Sequence, residues 1–213
     1  MLSICISHKN RSSVKTKDGK VLPIFQNCID SIVKAVKNLD IEIEIVIADY
    51  NSTDYPLNEW IYDKIENIPH KIISLGEEKF SKGRSLNIAA ENATGEYLFF
   101  LDADMIIDFR VLIKGMWYLI KGKVFFPICF SYRDHTHVSG WWRTTGTGNA
   151  FILKDAWEQT KVPEYFSWGK EDIEFMEKIA TKKTLVREKC QGLFHQWHPI
   201  EKASMTYFFQ KSE

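Results

Sequence analysis

Much that would point elsewhere is scarce in this 213-residue chain. It has no net charge: 28 Lys and Arg balance 28 Asp and Glu, which disfavours an extended nucleic-acid surface. It has few cysteines. Cys5, Cys28, Cys129 and Cys190 lie far apart and none forms a C-x-x-C pair. Neither a thiolate zinc site nor a disulfide framework is suggested, and reduced thiols in a cytoplasmic setting fit better. No apolar run is long enough to span a bilayer, and Leu2–Ser7 lacks the charged n-region of a signal peptide. No G-x-G-x-x-G follows that first strand, which argues against a Rossmann dehydrogenase. Repeats, low-complexity tracts and clear linkers are absent as well. The length suits one domain over residues 1–213 with a sizeable core, and such a domain can be one module of a longer polypeptide.

What is present is a regular alternation in the first half. Strands are expected at Leu2–Ser7, Ile41–Ala48, Lys71–Leu75 and Tyr97–Leu101. Helices are expected at Pro23–Asn38, Leu57–Glu66 and Ser81–Ala93, the last closed by Thr94-Gly95. This order predicts an α/β fold with a mostly parallel sheet flanked by helices. The second half is less regular. It carries a helix near Phe109–Ile120, a strand near Val124–Cys129, a polar aromatic loop over Ser131–Gly148, and a strand at Asn149–Leu153. Helices at Asp155–Thr160 and Glu171–Ala180 and a short strand at Thr184–Arg187 precede an irregular tail from Cys190.

Four segments fall at the C-terminal ends of strands or at a helix start, where open α/β sheets bind ligands. Asp102-Ala103-Asp104 closes the apolar run Tyr97–Leu101. Two carboxylates one residue apart repel unless a cation joins them, and a hard divalent metal that also carries phosphate is the natural partner. Two acidic residues capping the next helix are the plainer reading. Ser7-His8-Lys9-Asn10-Arg11 follows the first strand and offers polar groups to a nucleotide. Asp49-Tyr50-Asn51-Ser52-Thr53-Asp54 follows the second, where a carboxylate can accept from a base or ribose and an aromatic can stack; an ordinary turn also explains it. Phe80-Ser81-Lys82-Gly83-Arg84 opens a helix, and cations beside free N–H groups favour phosphate.

Together these segments resemble GT-A-fold family 2 glycosyltransferases: the Asp49–Asp54 run, Phe80–Ala89, and Thr94–Met105 with its D-x-D. Gly146-Thr147-Gly148-Asn149-Ala150-Phe151, Trp168-Gly169-Lys170-Glu171-Asp172 and His195-Gln196-Trp197-His198-Pro199 resemble the C-terminal region of β-1,4-galactosyltransferases and chondroitin-polymerase-like enzymes. The resemblance covers nearly the whole chain. It implies a GT-A (Rossmann-like) domain with a nucleotide-binding half, 1–105, and an irregular acceptor and catalytic half, 106–213.

The resemblance further implies a UDP-sugar donor, Mn²⁺ (or Mg²⁺), and a glycan or glycoprotein acceptor. Ser7, Arg11 and Asp49 then line the nucleotide, Lys82 and Arg84 face the diphosphate, and Asp102 reaches the ribose or a metal-bound water. Asp104 ligates metal, completed by His198 or His195; His135 and His137 are weaker candidates. Asp172 is the base of an inverting transfer. Glu171, Trp168 and Gly148 contact sugar. Lys170 stands where the galactosyltransferase pattern has a small residue, and the loop Lys9–Leu22 is longer and more basic than that pattern. Galactose, N-acetylgalactosamine, glucose and a deoxyhexose all remain open as the sugar moved. A bacterium, or a cell infected by a large DNA virus, suits such a module. The rivals are a nucleotidyltransferase, disfavoured because no Gly-rich triphosphate loop is visible, and a catalytically silent nucleotide-sugar-binding module.

Overall fold

The computed structural model describes residues 1–37, 39–76, 78–166 and 169–199. In chain order it holds β1 (Leu2–His8), the short β2 (Val14–Lys15) and β3 (Val21–Leu22), α1 (Ile24–Val36), β4 (Ile43–Asp49) and a 3-10 turn (Leu57–Glu59). Then come α2 (Ile61–Ile65), β5 (His70–Ser74), α3 (Lys82–Asn92), β6 (Tyr97–Asp102), β7 (Met105–Ile107) and α4 (Phe109–Ile120). The remainder is β8 (Val124–Phe125), β9 (Ile128–Tyr132), β10 (Gly140–Trp142), β11 (Ala150–Leu153), α5 (Lys154–Thr160), α6 (Glu171–Ala180), β12 (Leu185–Val186) and β13 (Lys189–His195).

Seven strands form the main sheet in the order β12-β8-β11-β6-β1-β4-β5. β1 is parallel to β4 and β6, β4 to β5, and β12 to β8. β11 is antiparallel to both its neighbours, so the sheet is mixed rather than wholly parallel. The central strands are apolar on both faces because helices cover both. Along β1, Leu2, Ile4 and Ile6 join one core layer with Phe25, Ile29 and Ile32 of α1. Cys5 joins the other, with Leu86, Ala89 and Ala90 of α3 and Trp157 and Phe175 beyond. The period-2 alternation of side chains thus feeds two helix layers.

The second half is less irregular than its sequence suggests. β10, β9, β13 and β7 form a four-stranded sheet of their own. The expected strand Val124–Cys129 is two strands: Phe126 and Pro127 separate β8, in the main sheet, from β9, in the small one. A proline cannot donate to a ladder, so the chain changes sheets there. The supposed loop Ser131–Gly148 contains β10, and the supposed tail contains β13. The expected helix Leu57–Glu66 breaks at Trp60, whose φ of −147° is not helical. β2 and β3 make a hairpin inside the long first loop.

One carboxylate is committed to the frame. Glu44 is buried in β4, and its Oε1 accepts from Ser3 Oγ at 2.6 Å, Thr94 Oγ1 at 2.9 Å and the Gly95 N–H at 3.2 Å. It ties the turn after α3 to the start of β1. Burial raises its pKa, but these hydrogen bonds outweigh burial and hold it below the usual carboxylate value. A depressed folded pKa stabilises above the unfolded value, and that stabilisation is lost as the pH falls. Glu44→Gln is therefore expected to cost about 1–3 kcal/mol in urea unfolding at neutral pH. The gap should narrow as the pH falls through the folded pKa; a gap independent of pH would refute the assignment.

Candidate active site

Strand register brings the first groups together. Ser7 of β1 lies beside Ala48 of β4 and Asp102 of β6, and His8 lies beside Asp49. The parallel strands thus deliver the ends of three predicted segments to one sheet edge. The fourth, at the start of α3, is fastened there by Tyr50. Tyr50 is buried, its hydroxyl donates to Ser81 O at 2.9 Å, and it accepts from the Ser81 N–H at 3.2 Å. Ser81 caps α3 through its hydroxyl, which accepts from the Arg84 N–H at 3.3 Å. Tyr50 is therefore a clamp between two loops, not an aromatic face left open for stacking.

Lys82 forms the centre of the site. Its ammonium is 2.5 Å from Asp102 Oδ1 and 3.0 Å from Asp172 Oδ2. Burial opposes its charge, but the two carboxylates more than compensate and hold its pKa above the ordinary lysine value. Asp172 moves the other way. Burial pushes its pKa up to about 6, Lys82 pulls it down, and Asp102 and Glu171 push it further up. Asn149 aligns Asp102: its side-chain carbonyl accepts the Asp102 N–H at 2.9 Å. Gly148 leaves room for the pair, because a Cβ there would stand 2.3 Å from Asp102 Oδ2 and 2.7 Å from Lys82 Nζ.

α3 also positions the loop that leads to α6. A Cβ on Gly83 would meet Pro163 O at 1.9 Å, so only glycine lets the first turn of α3 sit against the loop leading to α6. Asn87 fastens that loop, donating to Val162 O at 2.9 Å and accepting from the Val162 N–H at 2.9 Å and Trp157 Nε1 at 3.1 Å. Glu171 is buried, and its Oε2 accepts from the N–H groups of Gly169 and Lys170 at 3.0 Å each. That oxygen shapes the turn before α6 and so aims Asp172. Trp168 lies outside the described residues.

The second cluster surrounds Asp104. Its Oδ2 lies 3.1 Å from His198 Nε2 and 3.5 Å from His195 Nε2. Burial raises the Asp104 pKa, but the histidines outweigh it and hold the carboxyl well below its usual range. His198 responds in kind: burial lowers its pKa, but Asp104 lifts it above the ordinary value. Gln196 sets this geometry. It is fully buried, its N–H donates to Asp104 O at 2.9 Å, and its side-chain amide bridges Asn27 and Ile24 O of α1 at 2.9 Å each. The tail is thus stitched to both the D-x-D and α1.

These three residues fit a divalent metal. His198 Nδ1 lies 3.1 Å from Pro199 O, a bond in which the imidazole must donate. A neutral ring then turns a lone pair toward the Asp104 carboxylate, an arrangement that needs either a second proton or a cation between them. His195 Nδ1 is likewise engaged, by Ser131 Oγ at 3.1 Å. Asp104 Oδ1 is buried and has no hydrogen-bond partner among the described residues. Two imidazoles and a carboxylate suit a first-row ion such as Mn²⁺.

The other predicted residues are placed less directly. Asp49 spends its carboxylate inside the protein: Oδ1 accepts from Ser52 Oγ at 2.6 Å and meets buried His8 at 2.8 Å, and Oδ2 accepts the Ser52 N–H at 3.1 Å. Burial raises its pKa, but His8 and Ser52 more than offset that, so it is lowered. Ser7 accepts from Ser85 Oγ at 2.5 Å, at the edge itself. Arg84 pairs with Glu78 at 3.0 Å. Arg11 sits close enough to His198 for its charge to oppose protonation there. His137 stacks on Tyr132 at 4.4 Å and His135 lies against Trp197 at 6.1 Å; neither joins the Asp104 cluster. Sequence reasoning missed Asn149 and Gln196, although both lie inside the quoted segments, because an amide signals nothing until its partner is known.

The model for "Glycosyl transferase family 2" matches residues 3–190. No curated protein sequence matches the chain. Among solved structures, residues 1–349 of TarS from S. aureus in complex with UDP-GlcNAc superpose with a TM-score of 0.71 at 17% identity, covering 95% of this chain and 60% of that one. Mannosyltransferase PcManGT from Pyrobaculum calidifontis, with GDP-Man and Mn²⁺, gives 0.69 at 14% identity, covering 99% and 60%. The chain thus spans 60% of the length of these structures, and at such identities the likeness shows the fold they share.

Gln196→Ala would leave Asn27 Nδ2 and Ile24 O without their partner. Unfolding free energy is expected to drop by about 1–3 kcal/mol. Mn²⁺ affinity, measured by titration calorimetry, should weaken by at least about tenfold, since Gln196 holds the three candidate ligands in place. Unchanged affinity would show that the tail needs no such pin.

Proposed function

The chain belongs to glycosyl transferase family 2, and from that premise we propose that it moves a hexose from a UDP-sugar to a hydroxyl of a glycan or glycoprotein acceptor, with inversion and with a divalent metal. The observation that carries this reading is Lys82, which joins Asp102 of the D-x-D to Asp172 across the edge where Asp104 meets two histidines. The family and the superposed structures support a GT-A transferase using a nucleotide-linked sugar. UDP, inversion and the galactosyltransferase-like assignment of the C-terminal half rest on the sequence resemblance. Residues 1–105 serve the donor and residues 106–213 the acceptor, within one domain.

Asp104, with His198 and His195, would hold Mn²⁺ (or Mg²⁺). When bound, such an ion supplies positive charge against the diphosphate leaving group. Ser7, Arg11 and Asp49 line the nucleotide end, Asp49 by organising the loop that receives it. Arg84 faces the diphosphate from the start of α3. Glu171 sets the turn, and Gly148 with Trp168 borders the sugar. Asp172 takes the proton from the acceptor hydroxyl as that oxygen attacks the anomeric carbon. Lys82 links the two halves of the reaction. Before the donor arrives its ammonium stabilises the ionised Asp172. A diphosphate competes for the same ammonium, and as Lys82 turns to it Asp172 becomes a stronger base.

Asp172→Asn is expected to lower kcat by at least about 100-fold while leaving UDP-dependent thermal stabilisation in place. Turnover at the parent rate would remove Asp172 from the base role. A base must be ionised to work, so kcat/KM should fall as the pH drops through about 6 and level off above it. Lys82→Met removes the cation that lowers the Asp172 pKa, so the same limb should move to higher pH. An unmoved limb would show that the two groups are not coupled.

A further inference from the structure

α4 is apolar almost all round. Val111, Leu112, Gly115 and Leu119 face the core. The opposite side carries Phe109, Ile113, Trp117 and Ile120, which are 51, 48, 49 and 69% exposed. Spacings of four, four and three residues stack these side chains into one stripe. A helix that is apolar all round is normally buried, and large contiguous exposed apolar patches mark interaction surfaces. Beside the stripe, a shallow groove of about 440 Å³ is lined by Arg110, Ile113, Lys114, Trp117 and Tyr118.

The charges around the stripe have one dominant sign. The helix itself carries only Arg110 and Lys114, and Lys121 and Lys123 follow it. Lys189, whose carbonyl accepts from Lys114 Nζ at 3.2 Å, places its own ammonium over the Trp142 ring at 5.6 Å. Against these five cations stand Asp108, paired with Arg110, and Glu188, paired with Lys114. Lys121 lies over the Trp117 indole, 3.5 Å from its centroid, so cation and aromatic share one patch.

We propose that this face of α4 is an interfacial membrane-binding surface that seats the chain on an anionic bilayer. Tryptophan, phenylalanine and isoleucine on one side of a helix, collared by lysines that can reach headgroups, are what such a surface needs. No helix among the described residues is long and apolar enough to cross a membrane, so the contact would be peripheral. A second copy fits less well: a two-fold contact through this stripe would place the same cations opposite one another. A surface that binds nucleic acid does not require four exposed apolar side chains.

Co-sedimentation of the full chain with vesicles tests the proposal independently of any transferase activity. The chain should sediment with phosphatidylcholine–phosphatidylglycerol vesicles, not with phosphatidylcholine alone, and less as salt rises. Ile113→Glu combined with Ile120→Glu should abolish binding at an unchanged melting temperature. Lys121→Ala with Lys123→Ala, which removes no buried side chain, should lower partitioning about tenfold and carries the test if the glutamate variant folds poorly. No sedimentation with anionic vesicles, equal sedimentation with neutral ones, or full binding by the double lysine variant would each overturn the proposal. So would a dimer by light scattering that the glutamate substitutions convert to monomer.

Discussion

A single ammonium between two carboxylates organises this molecule's functional edge. Lys82 sits on α3, Asp102 on β6 and Asp172 on α6, and the three come within hydrogen-bonding distance only because those elements are held in register. Without the cation, two acids would face one another at a desolvated edge, a costly arrangement. With it, the end of β6 is fixed to the first turn of α6. The supports of this bridge are small: Gly148 and Gly83 supply clearance, and Asn149 and Asn87 hold the flanking segments.

The second constraint is the return of the chain to the D-x-D. β13 pairs with β7 directly after Asp104, so His195 lies opposite Met105 in the ladder. Gln196 then locks the turn, and His198 reaches the same carboxylate. The first and second halves of the chain are therefore not separable layers. β11, β8 and β12 come from the second half of the chain, yet they complete the sheet that β1, β4 and β6 begin. Bridge and tail together give one edge two electrostatic features, a carboxylate–imidazole cluster with the donors to hold a cation and a carboxylate of raised pKa.

The main α/β order was legible because long apolar runs and helical periodicity are local signals. Asp102, Asp104, Lys82, Asp172 and the two histidines stood out in the sequence because their segments resemble those of known glycosyltransferases. What the sequence hid was partnership. Tyr50 looks like a free aromatic in a polar loop, and only the fold shows that Ser81 captures it. Asp49 and Glu171 look available, but their oxygens serve Ser52, His8 and the turn at Gly169. Short strands such as β7 and β10 carry too few residues for periodicity to register, and Pro127 divides what reads as one continuous apolar strand. Gln196 gave no signal, since its three partners lie 92, 169 and 172 positions away in sequence.

The account stands most directly on where a cation sits. Crystals grown with Mn²⁺ and UDP, measured at a wavelength where manganese scatters anomalously, would locate it. The account predicts a single strong peak within about 2.0–2.3 Å of an Asp104 carboxylate oxygen and of Nε2 of His198, His195 or both. A peak held instead by Asp102 and Asp172 in place of Lys82, or none at this edge with UDP bound, would contradict it.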